Sequence, residues 1–381
     1  MKKNIVFLFF LIASLSGNLA KAQGVFDNYQ DFKNRLNKKY GFDYSVDVSI
    51  LEQRSAPSGK HNAVQGYLYP SFTWEMFNNK NGVGTLNFAY TVIRYGNHNA
   101  NDLANNSGFV TPINDYASGE NEFNELYYTY QFGGKYNWLT FGVGQFPIYN
   151  FDGTDYDANQ QINFLNEALS QNASASYTQA GVGVYAQINP NDNWTIAFGG
   201  QDGTNVDAPS IRFNDLSDEH YTTFGYVGYT PTIKGLGDAE VSLLVYNQPW
   251  VKEQPQTTNG WSLNLSQNIG EKLSVFARVN ETSGDVEEIR QSWVLGGVYN
   301  NPFDRNPLDQ IGLAYAYNKI DEKAVGEKVN HKAEQVVEAF WSFGVGDMVV
   351  VTPVVQLYIN PALNQKSNYG FATSLRATVM F

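Results

Sequence analysis

From residue 43 onward, apolar and polar residues alternate along the chain with a period of two. The first such stretch sets four apolar residues against four polar ones: Tyr44, Val46, Val48 and Ile50 against Asp43, Ser45, Asp47 and Ser49. This period is typical of a β-strand with one apolar face. Repeated to the end of the chain, the pattern predicts about sixteen strands, and an even number is usual for single-chain bacterial barrels.

The connections between these strands alternate in length. Residues 78–82 and 270–272 read as tight turns, whereas residues 96–121 and 146–177 are long connections. Outer-membrane barrels have short periplasmic turns and long extracellular loops, and a soluble β-sandwich does not separate its loops in this way. The pattern therefore predicts an all-β protein: a transmembrane antiparallel β-barrel of the outer membrane of a Gram-negative bacterium. A mean hydropathy of −0.37 agrees with this prediction, because a barrel strand presents only one face to lipid.

The first 22 residues have the pattern of a signal peptide. Two lysines precede a short apolar run, and Ala20 and Ala22 provide the small residues that signal peptidase needs. We expect the mature chain to begin at Gln23, which the mass of the purified protein would show. Cleavage would change the formal net charge from −12 to −15, because it removes three lysines and no acidic residue.

Two segments have helical rather than strand spacing. In the first, Phe32, Leu36 and Tyr40 predict a short periplasmic helix within residues 23–42, ahead of a barrel over residues 43–381. In the second, residues 162–169 predict a helical turn within the long third extracellular loop. That loop is either solvated above the membrane or folded into the lumen, where it would narrow the pore.

The end of the chain is the most specific local signal. Phe381 is the last residue, and apolar or small residues occupy the same strand face at alternate positions back to Phe371. Such a strand is what the barrel-assembly machinery recognises, and it would close the sheet and remove both edges. Deleting Phe381 should therefore leave unassembled protein in the periplasm, seen as the loss of heat-modifiable migration on gels.

Composition and motifs argue against several kinds of chemistry. The acidic balance is unsuited to nucleic acid, and the absence of cysteine excludes disulfides and thiolate metal sites. The four histidines fall far apart in predicted extracellular loops, and no GxSxG or HExxH motif occurs, so we expect neither an enzyme nor a cofactor. Asp152, Asp155 and Asp157 could ligate calcium, but their spacing does not match an EF-hand and favours surface solvation.

The polar side of the strands supplies candidate pore-lining residues. Charged side chains cost little in a water-filled lumen, and sugars need fixed hydrogen-bonding groups together with aromatic faces. The candidates for substrate binding are Glu75, Glu125, Arg278, Glu338, Gln356 and Arg376, with the rings of Tyr67, Tyr69 and Tyr127. Alternatively, these residues only hydrate or brace the lumen. If the two arginines bind sugar, replacing either by alanine should weaken binding by ~1 kcal/mol for each hydrogen bond lost.

Several motifs resemble a known family, the carbohydrate-selective porins of the OprB type. The resemblance rests on Glu334 and Glu338 in one strand, Pro353, Gln356 and Asn360-Pro361 in the next, and a last strand with Arg376 and Phe381. Residues 142–169, 181–201 and 301–318 also resemble the family, in the same order along the chain. The likeness extends from about Phe26 to Phe381 and implies a sugar-transporting outer-membrane barrel.

Together these observations predict passive, substrate-preferring diffusion of mono- or short oligosaccharides. The alternatives are a general or anion-preferring porin, or a structural or adhesive barrel whose loops bind a partner. The expected partners are sugars, outer-membrane lipid and the barrel-assembly machinery, with no nucleic acid. The sequence leaves open which sugar passes, the pore radius and whether the barrel forms homo-oligomers.

Overall fold

The computed structural model describes residues 19–57, 61–213, 216–217 and 219–381, and side chains from Tyr29 onward. Seventeen strands dominate it: β1 Phe42–Ala56, β2 Asn62–Asn79, β3 Gly82–Tyr95, β4 Asn121–Phe132, β5 Leu139–Phe146, β6 Gly181–Asn191, β7 Trp194–Asp202, β8 Tyr221–Tyr229, β9 Thr232–Ile233, β10 Gly237–Gln248, β11 Thr258–Ile269, β12 Leu273–Thr282, β13 Ile289–Asn300, β14 Gln310–Ile320, β15 Ala333–Val345, β16 Val349–Ile359 and β17 Tyr369–Met380. Four helices accompany them: α1 Leu19–Tyr40, α2 Ala100–Ser107, α3 Glu167–Ser170 and α4 Glu322–Val325.

The strands form one closed antiparallel barrel. Apart from the short β9, each strand pairs with its neighbours in sequence, and the last strand, β17, pairs with β1 in a register that places Val379 opposite Val48. The two-residue β9 extends the hairpin between β8 and β10, and β8 pairs directly with β10. Sixteen strands therefore complete the barrel, which confirms the predicted fold and strand number. Closure satisfies the backbone groups that an open edge would expose.

Side-chain orientation follows the period-two pattern. In β1, Ile50 is 60% exposed on the outer face, whereas its neighbour Ser49 is buried on the inner face. In β17, Phe371 is exposed on the outside and Arg376 is buried inside. Aliphatic and aromatic residues thus cover the outer surface, where lipid would contact them.

Helix α1 confirms the predicted N-terminal helix and lies beside the barrel seam. The ring of Tyr29 meets the ring of Phe381 at 6.4 Å and the ring of Tyr44 at 6.3 Å, both edge-on. Phe381 also exchanges two backbone hydrogen bonds with Val46. The predicted signal peptide falls mostly on residues 1–18, outside the described residues. Among the residues described, no helix is both long and apolar enough to cross a membrane.

Two long extracellular loops fold into the lumen: loop 2 (residues 96–120) and loop 3 (residues 147–180). In loop 3, Phe164 packs edge-on against Phe340 and Phe276 of the inner wall, with ring centroids 4.9 and 5.7 Å apart. In loop 2, Phe109 stacks on Tyr358 at 3.8 Å. Of the two alternatives left by the sequence, the structure therefore has loop 3 in the lumen. Of the helical turn predicted over residues 162–169, only the end is helical, as α3, and residues 162–166 are irregular.

Candidate functional site

A water-accessible cavity of about 550 Å³ lies between the two lumen loops and the inner wall of β1 and β2. At the extracellular end it is bordered by Glu287 and Glu288, in the loop between β12 and β13 (loop 6, residues 283–288). Toward the periplasm it reaches Asp47, near the start of β1. Since these residues lie at different depths of the barrel, the cavity extends along the barrel axis.

The lining of this cavity is acidic. Among the described residues that border it there are nine carboxyl side chains and no lysine, arginine or histidine. The carboxyl groups come from the inner wall and from four loops: Asp47, Asp115, Glu120, Glu122, Asp152, Glu167, Asp207, Glu287 and Glu288. A narrow passage lined by charge of one sign concentrates ions of the opposite sign. Where these carboxyl groups are ionised, the lining would attract cations and repel anions.

Tyrosine rings complete the lining. Tyr67 and Tyr69 project from β2 with their ring planes nearly parallel and their centroids 6.1 Å apart, and Tyr116 of loop 2 approaches Tyr67 to 5.9 Å. Tyr149 and Tyr177 of loop 3 border the same space. The cavity therefore offers flat aromatic faces beside carboxylates, and such faces attract cations and stack on sugar rings.

Burial makes several of the loop carboxyl groups harder to ionise. Burial, with the nearby Asp207, raises the pKa of Glu120 to about 7, and burial, with the adjacent Glu288, raises the pKa of Glu287 to about 7. Burial also raises the pKa of Glu167 and of Asp115 well above the usual range. The negative charge of the cavity therefore increases as the pH rises through neutrality.

The two arginines predicted to bind a solute face inward, but loop 3 covers them. Arg278 is buried and donates hydrogen bonds to the backbone oxygens of Asp157 and Ala168, at 2.9 Å each, and of Gln171. Arg376 is equally buried and donates to the backbone oxygens of Asn163, at 3.0 Å, and Gln160. Neither guanidinium borders the cavity, so in this structure both brace loop 3 rather than face a solute.

Glu338 and Gln356 have a similar role. Glu338 is completely buried and accepts the backbone N–H groups of Leu165 at 2.7 Å and Asn166 at 2.8 Å. The amide of Gln356 donates to Glu338 and to the backbone oxygen of Ile113, both at 2.9 Å. These two side chains therefore connect the inner wall to loop 3 and loop 2.

The remaining predicted residues are dispersed. Tyr67 and Tyr69 line the cavity, as described above. Glu125 accepts a 2.7 Å hydrogen bond from Asn150 of loop 3, and Tyr127 packs against Phe146 outside the cavity lining. Glu75 is exposed near the periplasmic end of β2, where Asn78 donates to it, and is far from the cavity. The structure thus brings two of the nine candidates to the cavity.

The interpretation of the loop 3 aspartates as solvated is wrong for Asp157. This residue is fully buried, its carboxylate lies 3.3 Å from Arg278, and it accepts hydrogen bonds from the backbone and hydroxyl of Thr154. Asp152 accepts hydrogen bonds from Asn172, at 2.8 Å, and Asn264, at 3.0 Å. Because loop 3 enters the lumen, Asp152 and Asp157 find hydrogen-bond partners there, whereas Asp155 is exposed.

Most cavity carboxylates are residues that the sequence analysis did not select. Eight of them come from loops or from the strand end at Glu122, and the search for pore-lining residues followed strand faces alone. The strongly negative net charge and the Glu287-Glu288 pair in a short loop were the available signals. The sequence did not show which loops enter the barrel.

A closed sixteen-strand barrel with its lumen narrowed by inserted loops is the architecture of an outer-membrane porin, and the relatives of the chain have this function. Residues 214–381 match the family model described as carbohydrate-selective porin, OprB family. Porin AaxA of Chlamydia abortus is 40% identical over 338 residues, covering 86% of this chain and 75% of that protein. Porin AaxA of Chlamydia felis is 37% identical and covers 90% of this chain and 78% of that protein.

The fold is also that of a solved porin. The high-pH structure of Pseudomonas putida OprB superposes with a TM-score of 0.74 at 13% identity, covering 93% of this chain and 97% of that one. The chain belongs to the OprB family of porins, together with the AaxA porins of Chlamydia, and is an outer-membrane channel protein. Its relatives are channels rather than enzymes. They therefore favour transport over the alternative of a structural or adhesive barrel.

Proposed function

We propose that this porin admits small hydrophilic solutes by passive diffusion and prefers cations to anions. The observation that carries the proposal is the cavity lining, with its nine carboxyl groups and no basic side chain among the described lining residues. Rings of carboxylates favour cations in channels because they replace part of the stabilisation that the ion loses with its water. This argues against the anion-preferring alternative.

The covered arginines strengthen the proposal. A cationic side chain in the passage would offset nearby carboxylates, but Arg278 and Arg376 lie on the far side of loop 3 from the cavity. Arg278 is also paired with Asp157 at 3.3 Å. The solute therefore meets the acidic surface of the loops and not the basic positions of the wall.

The chemistry of the cavity fits organic cations as well as inorganic ones. A solute with an ammonium or guanidinium group can pair with a carboxylate while it contacts the faces of Tyr67, Tyr69 or Tyr116. Partial ionisation of Glu120 and Glu287 near pH 7 leaves the attraction moderate, which suits passage because a solute that binds tightly does not leave.

The test is the zero-current potential of the purified porin in a planar bilayer under a KCl gradient, repeated with ethanolammonium chloride. We expect cations to be more permeant in both salts. In the double variant Glu120→Gln/Glu287→Gln the cation-to-anion permeability ratio should fall several-fold, whereas the exterior substitution Glu52→Gln should leave it unchanged. A parent channel that prefers chloride would overturn the proposal.

A second candidate substrate class is neutral mono- and short oligosaccharides. The family description supports it, and so do Tyr67 and Tyr69, whose flat faces can stack on a sugar ring while carboxylates accept its hydroxyl groups. Liposome swelling with a series of sugars of increasing size tests this candidate. Swelling that depends on sugar size alone would indicate general diffusion, whereas faster entry of one sugar among isomers would support selection.

A further inference from the structure

Two carboxylates of β15, Glu334 and Glu338, hold different loops in the lumen. They lie four residues apart on the inner face, and both are completely buried. Glu338 accepts two consecutive backbone N–H groups of loop 3. Glu334 accepts the N–H groups of Val110 and Thr111 in loop 2, at 3.1 and 2.7 Å, and that of Ala362 at 2.8 Å. Hydrogen bonds to a carboxylate are stronger than those between neutral groups.

Loops 2 and 3 are also connected to each other by hydrogen bonds beside Glu338. The Asn166 amide donates to the backbone oxygen of Pro112 at 2.9 Å and to the Tyr358 hydroxyl at 2.8 Å. Gln356 bridges Glu338 and Ile113, as described above. The positions of the two loops are therefore coupled, and Glu338 accepts hydrogen bonds at the point where they meet.

Loop 3 is held through its carbonyl groups as well as its N–H groups. Arg278 and Arg376 bind backbone oxygens on the segments before and after the Glu338 contact. These contacts place the loop between the two guanidinium groups and the cavity. If the loop moved away from the wall, both positive charges would be exposed to the passage.

We propose that Glu338 is a positioning residue that determines both the width and the charge selectivity of the channel. It borders no part of the cavity, yet it keeps loop 3 where its carboxylates face the solute and the arginines do not. In Glu338→Gln, the backbone N–H groups of Leu165 and Asn166 would face an amide, which has one acceptor oxygen and one donor NH₂ group. Loop 3 would then lose its charged hydrogen-bond acceptor. The part of this proposal that concerns charge selectivity rests on the proposed cation preference. The part that concerns channel width does not.

The experiment compares Glu338→Gln with Glu120→Gln, which removes a carboxylate from the cavity itself. Both are folded into detergent, checked for heat-modifiable migration and measured in bilayers. At 1 M KCl, where charge is strongly screened, conductance reports mainly on width. We expect a larger single-channel conductance for Glu338→Gln and parental conductance for Glu120→Gln. Under a KCl gradient, both variants should lower the cation-to-anion permeability ratio by at least about twofold.

Proteolysis reports the position of loop 3 independently of any transport measurement. Chymotrypsin added to the folded barrel should cleave beside Phe164 faster in Glu338→Gln than in the parent, because Phe164 is fully buried while the loop stays in place. If Glu338→Gln does not assemble, Gln356→Met is tested by the same assay, with a smaller increase expected. Parental conductance and parental cleavage in an assembled variant would overturn the proposal. A parent without cation preference would overturn only the proposed function, since the conductance and cleavage tests still apply.

Discussion

The lumen has two walls that use charge in opposite ways. The wall built by β12 to β17 carries Arg278, Arg376 and Glu338, and each of them is buried and bonded to loop backbone. The adjoining side, formed by β1 and β2 with Asp47, Tyr67 and Tyr69, borders open space together with acidic loop residues. An inward-facing charged residue therefore identifies a lumen but not a solute contact, because loop 3 covers Arg278, Arg376 and Glu338.

The strongest way to break this comparison is to remove Arg278. Arg278→Met should destabilise the folded barrel by about 3–5 kcal/mol, because it leaves the buried Asp157 without its cation and three loop carbonyls without donors. Unfolding in urea, followed by the gel mobility of the folded form, measures this loss. The double variant Asp157→Asn/Arg278→Met should lose less than the sum of the single variants. A cost for Arg278→Met as small as that of Glu287→Gln, a cavity substitution, would contradict the distinction between the walls.

A change of pH should act on the ionisable loop residues of the cavity. Glu120 and Glu287 each have a pKa of about 7, above the ordinary value for glutamate, so they are mainly neutral below this pH and mainly charged above it. Cation preference should therefore be strong at pH 8 and decline as the pH falls to 5.5. Zero-current potentials across this range measure the change, and the double variant Glu120→Gln/Glu287→Gln should flatten it. An unchanged pH profile in that variant would assign the titration to other groups.

The smallest expected effect concerns the aromatic part of the cavity. Tyr69→Leu keeps an apolar side chain but removes the flat ring and the hydroxyl group. Sugar-induced block of the single-channel current should weaken by about 1 kcal/mol, the typical value of one lost hydrogen bond. Tyr127→Leu, which changes a ring outside the cavity, is the matched control. Equal effects of the two substitutions on sugar-induced block would contradict a specific role of the cavity tyrosines in sugar binding.

The fold could be predicted from the sequence because each strand carries its own evidence. Period-two alternation records which residue meets lipid, so the facing of Ile50, Ser49, Phe371 and Arg376 was readable strand by strand. The helix before the barrel was equally readable from its spacing. The alternation of apolar and polar residues does not indicate whether water or an inserted loop lies against the inner face. Phe276 and Phe340 face inward because loop 3 covers them, and a water-filled lumen would not favour phenylalanine there.

The site was only partly predictable for a related reason. Tyr67 and Tyr69 were found because they belong to a strand with a clear inner face. Asp115, Glu167 and Asp207 reach the cavity through loops whose path depends on contacts between residues far apart in sequence, such as Leu165 with Glu338. Local patterns carry no information about such contacts, so the loop carboxylates could not be assigned to the pore.

The residues that contact lipid and most of the carboxyl groups that line the cavity lie in different parts of the chain. The permeability of related porins can therefore change without changes to the lipid-facing strand residues. The membrane-facing scaffold constrains every second strand residue, whereas eight of the nine carboxyl groups of the passage lie in loops or at the strand end at Glu122. We therefore expect that exchanging loops 2, 3 and 6 and the loop between β7 and β8, between porins that keep the buried anchor residues on β12, β15 and β17, would exchange most of the charge of the passage. In this architecture most of the carboxyl groups that line the passage lie in loops, apart from the strand faces that contact lipid.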